Sequence, residues 1–139
     1  MIWGVGVDIV RVSRVGGLLQ RWGDRFLRRA YHEAEIATAN GLVATNSDRA
    51  DEFLATRWAV KEGVYKALGD PSVQRVARFP EIRLKPFEAT GERFSPVSVE
   101  LTGGTLEAAR AAGIGRVHVS TSHDGEYAVA YVMIERAIA

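Results

Sequence analysis

One stretch constrains the fold more than any other: Asp51-Glu-Phe-Leu-Ala-Thr-Arg-Trp-Ala-Val-Lys-Glu-Gly-Val-Tyr-Lys-Ala-Leu-Gly69. It holds no proline, is rich in helix formers, and ends at Gly69 before Asp70-Pro71, a stop signal. At about 100° per residue, Phe53, Leu54, Val60, Val64 and Leu68 share one arc, and Arg57 and Lys61 fall inside it. Glu62 and Lys66 lie one turn apart on the other side, between Ala55 and Ala59. Apolar residues nearly surround this helix, so most of it has to be buried. Charges on such a helix cost free energy unless they are paired or meet a ligand. From the helix alone two readings stay open. One is a Glu62–Lys66 ion pair with Arg57 and Lys61 snorkelling to water. The other is a charged, ligand-facing site.

The N-terminus, Ile2-Trp-Gly-Val-Gly-Val-Asp-Ile-Val10, alternates as a strand does. Trp3, Val5, Val7 and Ile9 form one face; Gly4, Gly6 and Asp8 form the other. Glycine in a strand marks close approach by another backbone or a ligand. Asp8 is therefore a carboxylate on a rigid, nearly bare surface, unless it is simply a strand-end aspartate in water. The glycines do not spell a dinucleotide-binding fingerprint.

Arg11 to Ala39 reads as helices, the first capped by Ser13, the second by Asp24, the third starting near His32 or Glu33. Arg11, Arg14, Arg21, Arg25, Arg28 and Arg29 fall within 19 residues, and Asp24 is the only acid among them. Such a face suits an acidic partner, because arginine makes bidentate contacts to carboxylate or phosphate; charge runs are also common on solvated faces. No DNA- or RNA-binding module is visible. Gly41–Ser47 reads as a loop, with Ser47 or Asp48 capping the central helix. Asp70–Arg78 reads as a loop, Phe79–Leu84 as a strand, and Lys85–Pro96 as a turn region around Thr90-Gly91-Glu92. A strand at Val97–Leu101, a helix at Thr105–Ala112, and a hairpin of Val117–His123 and Glu126–Glu135 around Asp124-Gly125 complete the chain. Two serines ahead of His123 at a strand end make it a candidate for anion binding or proton transfer. No nucleophile elbow surrounds them.

The 139 residues suffice for one domain, 1–139, with a real core. A net charge of +1 leaves only local patches to act electrostatically. The chain has no cysteine, which excludes disulfides and thiolate zinc sites and fits the reducing cytoplasm. No segment reaches membrane-span length, and no signal peptide is visible.

Asp8 and Glu62 are carboxylates on separate rigid elements. Hard divalent cations take such ligands together with phosphate and water. Arg57, Lys61, Lys66 and His123 suit phosphate. The set points to a magnesium-assisted reaction on a phosphorylated substrate.

Three segments resemble the 4'-phosphopantetheinyl transferases of the short holo-[acyl-carrier-protein] synthase type. They are Gly4-Val-Gly-Val-Asp-Ile-Val10, Phe53–Gly69 with its Trp58-x-x-Lys61-Glu62-x-x-x-Lys66 core, and Val119-Ser-Thr-Ser-His-Asp-Gly-Glu-Tyr-Ala-Val-Ala130. The resemblance runs from Met1 to about Glu135 and is weakest between Asp70 and Arg116. It implies an α+β fold: an antiparallel sheet with a long central helix and N-terminal helices, assembled as a homotrimer with sites between subunits. It implies transfer of phosphopantetheine from coenzyme A to a serine of an apo acyl carrier protein, releasing adenosine 3',5'-bisphosphate. Asp8 and Glu62 would then hold magnesium, with manganese as a substitute. Glu62 or a metal-bound water would take the serine proton, and Lys66 would stabilise the transferring and leaving phosphates. Arg57, Lys61, Lys66, Ser122 and His123 would meet coenzyme A; Arg14, Arg21 and Arg25 would meet the carrier. Neither nucleic acid nor membrane is an expected partner.

The family's glycine-rich loop after the central helix is replaced by Gly69-Asp-Pro-Ser-Val-Gln-Arg, and Arg75 or Arg78 is the expected substitute. Ala55-Thr56-Arg57 stands for Ala-Gly-Arg, and Gly91-Glu-Arg for Gly-Lys-Pro. The competing reading is a module of the same fold that binds a carrier or coenzyme A without catalysis.

Overall fold

The structure, a computed structural model, describes residues 1–86 and 97–138. In chain order the elements are β1 (Ile2–Arg11), α1 (Val12–Trp22), α2 (Asp24–Ala30), α3 (Glu33–Thr45), α4 (Ser47–Leu68), α5 (Pro71–Gln74), a 3-10 turn at Phe79–Glu81, β2 (Ile82–Pro86), β3 (Val97–Leu101), α6 (Gly103–Ala112), β4 (Ile114–Asp124) and β5 (Tyr127–Arg136). This is the expected α+β architecture.

Helix α4 is the spine. Asn46 caps it, its side-chain oxygen accepting from Arg49 N at 3.3 Å, so the helix starts ahead of the expected Ser47 or Asp48 cap. Gly69 ends it in the left-handed region, φ 63°, which glycine enters at little cost. Leu54, Ala55, Ala59, Val60, Val64 and Leu68 are wholly buried. Each large aliphatic among them contributes about 1.5–3 kcal/mol by leaving water.

β1, β5 and β4 form one antiparallel sheet in that order, and β2 pairs with β3 in a second ladder. The sheet lays Ala128, Ala130, Val132 and Ile134 of β5 against α4, all fully buried. β1 inverts the usual rule for an amphipathic strand. Its glycine face turns inward, while Val5, Val7 and Ile9 are 53%, 55% and 63% exposed. Trp3 departs from its expected face because the β1–β5 register shifts between Ile2 and Gly4; its indole N–H donates to Leu68 O at 2.7 Å.

Several boundaries differ from expectation. α1 begins at Val12 without a side-chain cap, so Ser13 lies inside the helix, and Asp24 is the first residue of α2 rather than its cap. α3 continues through Gly41 to Thr45, where a loop was expected. His32 and Glu35 form a reciprocal capping box that starts it firmly, and an interior glycine costs only about 1 kcal/mol. Asp70 caps α5 inside the expected loop, with Pro71 in the first turn. The strand expected from Phe79 begins at Ile82, because Pro80 has no N–H for a ladder. From residue 87 onward the turn region expected at Lys85–Pro96 lies outside the described residues. Among the described residues no helix is long and apolar enough to cross a membrane.

Candidate active site

The inward glycines of β1 build the site. A Cβ on Gly4 would run into the carbonyl oxygen of Ala67, and one on Gly6 into that of Gly63. Without side chains at these positions, β1 lies directly on α4. Asp8, next on the same face, is thereby delivered to the turn of α4 that carries Glu62 and Lys66. The Lys66 ammonium reaches Asp8 Oδ1 at 3.1 Å and Val7 O at 3.0 Å. It pairs with Asp8 rather than with Glu62, which removes the simple intrahelical ion pair. Asp8 is 15% exposed and Lys66 50%.

Burial raises the Glu62 carboxyl above the ordinary glutamate range, and the Asp8 charge raises it further; Lys66 and Arg14 pull it back. Two carboxylates that feel each other's charge attract a cation. Among the described residues no group of three or more His, Cys, Asp or Glu is placed to hold a metal. Asp8 and Glu62 therefore fit a hard cation that takes its other oxygens from a phosphorylated ligand and water, not a cation caged by protein alone.

Lys61 does something other than expected. It is 1% exposed, and its ammonium donates to Glu35 Oε1 at 2.7 Å, Phe79 O at 2.9 Å and Ile82 O at 2.5 Å. All three N–H groups are used inside the protein. This corrects its assignment as a phosphate contact. Burial lowers its pKa, and Glu35 opposes that shift. Glu35, the buried partner, is a residue that sequence reasoning missed; the His32-x-x-Glu35 capping spacing was its one available signal. Arg57 sits one turn earlier, its guanidinium carbon 3.8 Å from the Phe53 ring centroid. Its Nε is buried with no hydrogen-bond partner among the described residues, as is Glu35 Oε2.

Ser122 and His123 end β4, exposed. They pair with Val129 and Ala128 of β5, and β5 separates them from β1 by two strand spacings, roughly 10 Å. Within one chain the structure does not bring them to Asp8 and Glu62.

Arg14, Arg21 and Arg25 are exposed on α1 and α2. Arg14 is near enough to Glu62 for its charge to lower that carboxyl's pKa. Arg21 and Arg25 stand 5.1 and 5.8 Å from the ring of Trp22, which is 47% exposed. Trp22 borders a groove of about 700 Å³ floored by Leu18, Phe26 and Trp58. Arg25 and Arg29 of α2 and Arg78, Phe79 and Pro80 around the 3-10 turn also line it. The groove escaped sequence reasoning because these lining segments lie some 50 residues apart in the chain.

Comparison with known proteins bears on this geometry. Residues 4–132 match the family model of the 4'-phosphopantetheinyl transferase superfamily. The chain belongs to this superfamily. A holo-[acyl-carrier-protein] synthase of Dechloromonas aromatica is 38% identical over 137 residues, covering 99% of this chain and 100% of the relative. The fold matches the crystal structure of the Neisseria meningitidis holo-[acyl-carrier-protein] synthase with a TM-score of 0.79 at 25% identity, over 98% of this chain and 100% of that one. It also matches a holo-(acyl-carrier-protein) synthase of Bacillus anthracis, in complex with CoA (3',5'-ADP), with a TM-score of 0.73 at 29% identity, over 99% of both chains.

The segment after Gly69 is one of the places where the sequence departs from the pattern it resembles. α5 occupies it, held by Asp70 Oδ1 accepting from Ser72 N at 2.8 Å and by Gln74 Nε2 donating to Tyr65 O at 2.9 Å. Arg78, which with Arg75 was expected to serve in place of the glycine loop, lines the groove beside Phe79.

Proposed function

We propose that this transferase is a holo-[acyl-carrier-protein] synthase, moving 4'-phosphopantetheine from coenzyme A to a serine hydroxyl of an apo acyl carrier protein. The observation that carries the reading is the joining of Asp8, Glu62 and Lys66 across the β1–α4 contact, in a chain of this superfamily. The serine oxygen bonds to the phosphorus that bears pantetheine. The anhydride bond to the adenylate phosphate breaks, and adenosine 3',5'-bisphosphate leaves. Asp8 and Glu62 would hold magnesium, which supplies charge neutralisation at the pyrophosphate. Glu62, or a water beside it, takes the serine proton. Lys66, half in water, moves from Asp8 onto the leaving phosphate.

The exposed outer face of the sheet supports assembly. Val5, Val7, Ile9 and Tyr131 form an apolar surface of the kind that marks an interface. A homotrimer closed on this face would let Ser122 and His123 of one chain reach coenzyme A held by the next, with Arg57 as a further phosphate contact. Arg14, Arg21 and Arg25, beside the Trp22 groove, suit an acidic, amphipathic helix of the carrier. A cytoplasmic setting fits the coenzyme A substrate and the cysteine-free chain.

Incubation of apo carrier with coenzyme A and magnesium should shift the carrier mass by one phosphopantetheine, and EDTA should stop the shift. Glu62→Gln should fold and give none. Retained transfer by that variant would remove Glu62 from the reaction. Binding of carrier or coenzyme A by the wild type with no mass shift would leave the non-catalytic module.

A further inference from the structure

We infer that Lys61 is a positioning residue for carrier recognition: anchored on Glu35, it fixes the Phe79–Ile82 backbone, whose first two residues line the Trp22 groove. The inference rests on the reading of that groove as the carrier site.

The geometry is specific. Lys61 lies on α4, Glu35 in the first turn of α3, and the two carbonyls that Lys61 binds belong to the first residue of the 3-10 turn and to the residue that follows it. One ammonium thus ties two helices to the turn that presents Phe79 and Pro80. Glu35 is fixed in its own right, because the same Oε1 accepts from His32 N at 3.0 Å. Phe79 is then clamped by aromatic rings. Trp58, on the groove floor, meets it edge-on at 5.4 Å, and Tyr65 meets it at 6.4 Å. Arg78, just ahead of the turn, lines the groove together with Arg25 and Arg29.

Stability alone does not call for a lysine here. A buried ion pair can often be replaced by apolar residues of similar volume with no loss. An apolar pair, however, cannot hold two main-chain carbonyls at hydrogen-bond distance. Lys61 is adjacent to Glu62 in sequence but turned about 100° from it around the helix, so its loss acts on the groove wall more than on the carboxylate pair.

The test is the double variant Lys61→Met/Glu35→Gln. It removes the buried ammonium without stranding a buried carboxylate and keeps an acceptor for His32 N. The folded variant should show a carrier KM raised about tenfold or more, a coenzyme A KM within about twofold of wild type, and faster amide exchange in the segment 77–83. A folded variant with wild-type carrier KM overturns the inference. If it does not fold, the wild type decides: saturating apo carrier should protect 77–83 from exchange, and absent protection overturns the wall assignment. A wild type that neither binds nor modifies carrier would instead overturn the proposed function, whatever the exchange at 77–83.

Discussion

The Lys66 ammonium stands 3.1 Å from Asp8, a residue 58 positions away, rather than on Glu62 one helical turn before it. Lys66 is half exposed, and such pairs add only about 0–1 kcal/mol to stability. The lysine can therefore leave Asp8 for a phosphate at little cost, which frees the carboxylate for a cation at the same moment.

Lys66→Met should accordingly change thermal stability little, by less than about 1 kcal/mol. Its transfer rate should fall by about 10²–10³, the usual cost of deleting one preorganised charge from a transition state. Calorimetry and the carrier mass assay measure the two effects separately. A large stability loss would make the lysine structural.

Two glycines should respond in opposite senses to alanine. Gly6→Ala would drive a methyl into the carbonyl of Gly63, and overpacking against backbone costs about 1–3 kcal/mol or more. Gly17, in α1, has nothing within 4 Å of an added Cβ, so Gly17→Ala should stabilise by about 0.5–1 kcal/mol. Chemical denaturation midpoints check both.

Glu81 should carry part of the acid sensitivity of folding. Its carboxylate accepts from Thr105 Oγ at 2.5 Å and Thr105 N at 2.9 Å, closing the N-terminus of α6. The hydroxyl bond chiefly holds its pKa below the ordinary glutamate value. The folded pKa is depressed, so this contribution is present above the unfolded value of about 4.5 and is lost as pH falls through the folded one. The stability difference between wild type and Glu81→Gln should shrink as pH drops below 4.5. A difference that stays constant to pH 3 contradicts the assignment.

Val7→Asp places a charge on the outer face of β1. Sedimentation should report loss of the proposed trimer, with circular dichroism unchanged and transfer lost. An active, trimeric Val7→Asp protein would move the interface elsewhere.

The sequence was most informative where chemistry and periodicity coincide. Asp8, Glu62 and Lys66 stand on one strand and one helix whose patterns were plain, and glycines at alternate strand positions announced a close backbone approach. The direction of that approach was not legible. Alternation tells which residues share a face, not which face is covered, and here the apolar face is the open one. Lys61 was misread for a related reason. A lysine on an apolar arc can snorkel, meet a ligand or be buried, and only Glu35, Phe79 O and Ile82 O, brought in from outside the helix, decide among them. The groove depended on tertiary contact between α1–α2 and the Phe79 turn, which no local pattern encodes.

β1 gives alternate residues to two different tasks. Gly4, Gly6 and Asp8 serve the interior, and Val5, Val7 and Ile9 face outward. A slip of one residue against β5 would exchange the two sets at a stroke. Asp8 would swing outward, and the valines would be forced against the carbonyls of α4. A misregistered strand could then neither close against its helix nor offer its partners a greasy surface, so faulty copies would be kept out of any assembly built on this face.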